Sequence, residues 1–187
     1  MKFFSLATLL LLLAACSSPN ASESKNNEKN DYYIILSSLL GVNDNRFSYV
    51  DNDGNSHPDR LRLFKELEEV YGRYIEPPEN DGTYGLEQVK IIMLFAFYSE
   101  NRNSGAFSEY LASDLKPIYS KNRLMFLKAM NEFPFLVSPT CNRLNAFFGF
   151  EGKNLSKKEG FIKDNKAYFE THLTKVQMDL CLNQFSK

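Results

Sequence analysis

Residues 91–97 read Ile-Ile-Met-Leu-Phe-Ala-Phe, and no helical arrangement gives that run a polar face. A helix apolar on every side has to be covered on every side. A membrane span takes about 20 apolar residues, so this run is far too short to be covered by lipid. The cover has to come from the rest of the chain, and that requirement shapes everything around it.

The flanking sequence supplies amphipathic segments suited to the task. Tyr32, Tyr33, Ile34, Ile35, Leu36, Leu39 and Leu40 form a short apolar element closed by Gly41, which reads as a helix. Ser56-His57-Pro58-Asp59 carries a helix-start signal, with a capping Ser, an acidic residue three later and a Pro in the first turn. From there Phe64, Leu67, Tyr71 and Tyr74 recur at helical spacing, with Arg62, Lys65, Glu66, Glu69 and Arg73 on the remaining faces, until Pro77-Pro78 stops the run. The central helix spans residues 86–100. Further helices are expected over 104–117, bent or ended near Pro117, and over 122–130, capped by Asn122. Others follow over 138–148 and, as one long element, over 158–185. Residues 43–58 are rich in turn formers, and Asp-Gly at 53–54 fits a hairpin turn.

The expected fold class is therefore all-α: one compact domain of about six helices over residues 31–187, with a short turn-rich or β-hairpin segment near 43–58. Helices joined by short, Pro-punctuated links, most clearly over 107–148, are similar to a short stack of HEAT or armadillo hairpins. A compact orthogonal bundle fits the same pattern. Sixteen Phe, ten Tyr and no Trp imply a core filled by flat rings.

The chemistry-bearing residues are few. Asp51-Asn52-Asp53-Gly54-Asn55 resembles part of a calcium loop, but with Gly54 at loop position 6 the first ligand falls on Tyr49 and the twelfth on Arg60. Both required carboxylates are then missing, and a turn accounts for the residues. His57 and His172 are the two imidazoles, and neither stands in a metal-binding or catalytic spacing. No catalytic residue, metal site or cofactor is expected. The formal net charge is −1, with Lys and Arg interspersed among Asp and Glu, which gives no basic face for nucleic acid.

At the N-terminus, Met1-Lys2 precedes an apolar run that ends in Leu13-Ala14-Ala15-Cys16. This is similar to a bacterial lipoprotein signal, whose lipobox is an aliphatic residue, two small residues and Cys. The resemblance implies that residues 1–15 are a signal peptide, that Cys16 receives lipid and that the protein hangs from a membrane. Ser17 replaces the Asp that marks inner-membrane retention in the enteric pattern, which points to the outer membrane, facing the periplasm. Residues 16–30 read as a lipidated flexible tether.

An exported protein matures where disulfides persist. Pairing of Cys141 with Cys181 would close a loop of about 40 residues, which the chain-entropy model values at roughly 4 kcal/mol. The alternative is two buried thiols. The address and the sparse chemistry point to a non-enzymatic protein-binding or envelope-assembly module, with a partner in the periplasm or envelope. An immunity lipoprotein against a periplasm-acting toxin, a carrier of a small apolar ligand and a hydrolase are the alternatives. Tyr71, Tyr74, Tyr110, Tyr119 and Phe150 are the expected binding-surface aromatics.

Overall fold

In a computed structural model of the chain, describing residues 21–41, 45–76, 83–149 and 154–186, the apolar run lies in the middle of helix α3, Leu86–Asn101. Val89, Ile91, Ile92, Met93, Phe95 and Ala96 are all at most 1% exposed. The cover comes from four sides: α1 (Ala21–Leu40), α2 (Arg60–Ile75), α4 (Gly105–Glu132) and α5 (Val137–Ala146) all pack on α3. Helices α6 (Leu155–His172) and α7 (Lys175–Phe185) complete the fold, α6 on α4 and α7 on α5. The domain is all-α, with seven α-helices among the described residues.

Rings organise the core in two groups. Phe107 on α4 has its ring within 5.0–5.9 Å of those of Phe64, Tyr71, Phe95, Tyr98 and Tyr110, joining α2, α3 and α4. Phe161 on α6 does the same with Tyr119, Phe148 and Phe185 at 5.5–5.6 Å, tying α6 to α4, α5's end and α7. Offset and edge-on ring pairs of this kind add about 0.5–1.5 kcal/mol beyond their area burial.

The hairpin near 43–58 is present as β1 (Ser48–Val50) paired antiparallel with β2 (Ser56–Pro58). Between them the Asp51 carboxylate accepts the backbone N–H groups of Asp53 and Asn55, 3.0 and 2.8 Å away. Gly54 sits at φ +82°, a backbone conformation that strains a residue bearing Cβ.

Four element boundaries differ from the sequence expectation. Ser56 begins a strand and not a helix; Asp59 is the cap of α2, accepting the Arg62 N–H at 3.0 Å. Helix α1 starts at Ala21 and not near Asp31, so residues 21–30, read as tether, are helical. Glu and Lys are good helix formers, and extending an existing helix avoids the cost of a new nucleus. The helices expected over 104–117 and 122–130 run end to end as α4; the backbone leaves helical geometry at Asn122, φ −123° and ψ 28°, where the second was expected to be capped, and not at Pro117. The single helix expected over 158–185 is two, broken at Leu173-Thr174, where Leu173 is extended.

Candidate functional site

The C-terminal end of α4 runs into Phe133 and the 3-10 turn Pro134–Leu136. Proline fixes its own φ and lacks an N–H, so the chain leaves the helix here with a Phe on each side of Pro134. The two rings pack edge-on at 6.1 Å, and Phe135 also meets Phe97 edge-on at 5.3 Å. Both stay partly in solvent, Phe133 at 37% and Phe135 at 49% exposed. Across from them Leu36 of α1 is 43% exposed. Leu94 and Leu136 form the floor, and together these residues enclose an open groove of about 300 Å³ between α1, α3 and the 3-10 turn.

One rim of the groove is charged. Lys90 Nζ lies 2.8 Å from Glu87 Oε1 and 3.0 Å from Glu132 Oε2, and 5.1 Å from the centre of the Phe133 ring. The Tyr32 hydroxyl donates to Glu87 Oε2 at 2.9 Å. The Lys90 ammonium donating to it, and to a lesser degree this hydroxyl, hold the Glu87 carboxyl below its usual range. The same carboxylates, Glu87 first, raise Lys90 above its usual value. Both shifts favour the ionised forms of Glu87 and Lys90. Two carboxylates and one ammonium leave the rim with a net charge of −1, on the two members that face solvent most, Glu87 and Glu132.

The wall of the groove is held from outside it. The Arg102 guanidinium donates to the Ser38 carbonyl at 2.6 Å and to the Leu39 carbonyl, capping the C-terminus of α1. Gly41, at φ +66°, completes that end, where a Cβ would lie 3.2 Å from the same guanidinium. On the other side of α1, the buried Asp31 carboxylate accepts from Arg73 at 2.6 Å and from the Tyr74 hydroxyl at 3.0 Å. The groove is thus bounded by fixed helices.

Of the five aromatics expected on a binding surface, Tyr71, Tyr74 and Tyr119 are buried. Tyr71 donates to Asp114 at 2.9 Å, and Tyr119 to Asn165 at 2.8 Å, with burial pushing both hydroxyls to higher pKa. Tyr74 holds Asp31. Tyr110 is 37% exposed and donates to Glu68 at 2.9 Å, apart from the groove. Phe150 lies outside the described residues, as does Cys16. The groove aromatics Phe133 and Phe135 are not among the expected five. The available signal was Phe-Pro-Phe itself, where a proline between two rings ends a helix and turns both outward.

The remaining chemistry-bearing groups are tied up in structure. Cys141 and Cys181 are joined by a disulfide, with Cα atoms 5.2 Å apart, so neither offers a thiol nucleophile. His57 Nε2 pairs with Asp51 Oδ2 at 2.6 Å and its ring stacks on Tyr49, while His172 ends α6 in solvent. No group of three or more His, Cys, Asp or Glu among the described residues is placed to hold a metal ion. Compared with models of known protein families, with curated proteins and with solved structures, the chain matches none.

Proposed function

We propose that this protein is a lipid-anchored bacterial envelope protein, held through Cys16 and facing the periplasm, that binds another protein without catalysing a reaction. The address rests on Leu13-Ala14-Ala15-Cys16, and none of the described helices is long and apolar enough to cross a membrane. The observation that carries the binding role is the groove beneath Leu36, Phe133 and Phe135, which keeps three large apolar side chains open to solvent on fixed helices. Contiguous exposed apolar surface of this kind is characteristic of contact sites.

Two measurements test the reading. Cells expressing the protein are fed an alkyne-bearing fatty acid, and label is expected on the wild type and none on Cys16→Ser. Crosslinking in intact cells, followed by mass spectrometry, should then recover one stoichiometric protein whose yield falls at least fivefold in Leu36→Asp/Phe135→Asp. Label independent of Cys16 would remove the anchor, and a partner indifferent to the groove would remove the site.

A further inference from the structure

We infer that the groove takes a partner segment in which apolar side chains are flanked by a cationic one, Lys or Arg, in preference to an acidic segment, a free acid or an anionic membrane surface. The inference rests on the binding-module reading and deepens it by stating the chemistry of the occupant.

The argument is one of charge complementarity at the edge of an apolar slot. Among the described residues Lys90 is the one cation of the rim, and an anionic ligand would need it. It is already engaged by Glu87 and Glu132 and turns its remaining face to Phe133. Only 13% of its side chain is exposed, against 49% for Glu87 and 39% for Glu132. An approaching carboxylate or phosphate therefore meets two carboxylates before it meets the ammonium. An approaching ammonium or guanidinium meets the excess negative charge on the groups that solvent already reaches. The floor of Leu94 and Leu136 and the walls of Leu36, Phe133 and Phe135 accept aliphatic or aromatic side chains, and the rim selects what stands beside them. Complementary rim charges of this sort set partner choice and on-rate more than total affinity.

The test uses the full chain in nanodiscs of zwitterionic lipid and three fluorescein-labelled twelve-residue peptides. The first carries Leu and Phe anchors at helical spacing with adjacent Arg, the second has Glu in place of Arg, and the third keeps Arg but has Ser for the anchors. Fluorescence anisotropy should show the first binding about fivefold or more tighter than either of the others, in line with one partly screened charge pair. Rim variants then grade the effect: Lys90→Met takes the rim to −2, and Glu132→Gln takes it to 0. Affinity for the Arg peptide should rise in the first and fall in the second, and both changes are isosteric enough to leave the helices in place. Equal binding of the Glu peptide, equal binding of the Ser peptide or affinity unaffected by rim charge each overturns the inference. So does co-sedimentation with phosphatidylglycerol vesicles that is lost in Leu36→Asp/Phe135→Asp, since the groove would then be a membrane contact. Peptide selectivity without a crosslinked partner in cells would defeat the binding-module reading alone. A crosslinked partner without peptide charge selectivity would defeat this inference alone.

Discussion

Asn122 interrupts α4 because its side chain answers two backbone groups at once. Its amide donates back to the Ile118 carbonyl at 2.9 Å, and its Oδ1 accepts the buried Tyr84 N–H at 2.8 Å, just ahead of α3. A side chain that bonds its own preceding turn competes with the helix and bends it. Asn122→Ala would strand the Tyr84 N–H, and an orphaned buried donor costs about 1–3 kcal/mol. Urea unfolding should therefore show a lowered midpoint at unchanged slope, equivalent to that free energy; a loss below about 0.5 kcal/mol would mean water replaces the amide. Asp51 provides a pH-dependent counterpart. The His57 ring, more than the Asn55 and Asp53 amides, lowers its pKa below the ordinary 3.8. Because the folded value is the lower one, the carboxylate's support of the hairpin is complete above 3.8 and is lost as pH falls through the folded value. The Asn55 amide proton resonance should titrate with a midpoint under 3.8 in the wild type and not at all in Asp51→Asn, and a midpoint at or above 3.8 would contradict the pairing. Burial of Tyr71, Tyr74 and Tyr119 has the same residue-scale origin. A tyrosine can enter the core wherever its hydroxyl finds an acceptor, and Asp114, Asp31 and Asn165 supply one each.

The break between α6 and α7 is a decision made by one cap. Thr174 accepts the Gln177 N–H at 3.3 Å, and Gln177 Oε1 accepts the Thr174 N–H at 2.8 Å, a reciprocal capping box that starts a new helix with the chain turned. Thr174→Ala should cost about 0.5–2 kcal/mol, read as a lowered urea midpoint, whereas Thr174→Ser should stay close to wild type. If Ala and Ser behave alike, the break is set by packing and not by the cap. The Thr-x-x-Gln signature was in the sequence, but it sits inside a continuous apolar stripe from Phe161 to Phe185, and periodicity favoured one long helix. Where the pattern is unambiguous the structure follows it: the all-apolar run forms the central helix α3, and Asp-Gly turns the hairpin. Ser56 begins a strand although it resembles a helix cap, because cap-like residues also begin strands, and only the partner strand Ser48–Val50 distinguishes the two. Of the groove, only the Phe-Pro-Phe turn at 133–135 leaves a mark in the sequence. The groove's residues come from α1, α3 and the turn after α4, and no local pattern states that Leu36, Leu94 and Phe135 meet.

At the scale of the whole molecule, the C-terminal helix pair depends on one covalent link and two packed seams, α6 on α4 and α7 on α5. Helix α7 packs on α5, and Cys141–Cys181 joins those two helices with both residues fully buried. Gln177 adds an amide donation to the Met130 carbonyl at 3.1 Å, and Gln184 one to the Ser138 hydroxyl at 2.9 Å. Helix α6 reaches the core mainly through Phe161, Asn165 and Phe169. The bond spans a separation of 40 residues, and closing such a loop in the unfolded chain accounts for about 4 kcal/mol in the chain-entropy model. The groove lies on the other helices, between α1, α3 and the turn after α4. Reduction should therefore lower stability strongly while leaving the groove's geometry in place. In urea, the reduced protein should unfold with a free energy about 4 kcal/mol smaller, or, if the seams alone are too weak, lose hydrogen-exchange protection in α6 and α7 before α3. The double variant Cys141→Ala/Cys181→Ala should match reduction and, under conditions where it stays folded, bind the Arg-flanked peptide within twofold of wild type. A loss of peptide binding at unchanged α3 protection would show instead that the link shapes the groove through α5, which carries Cys141, and the turn Pro134–Leu136 that leads into it.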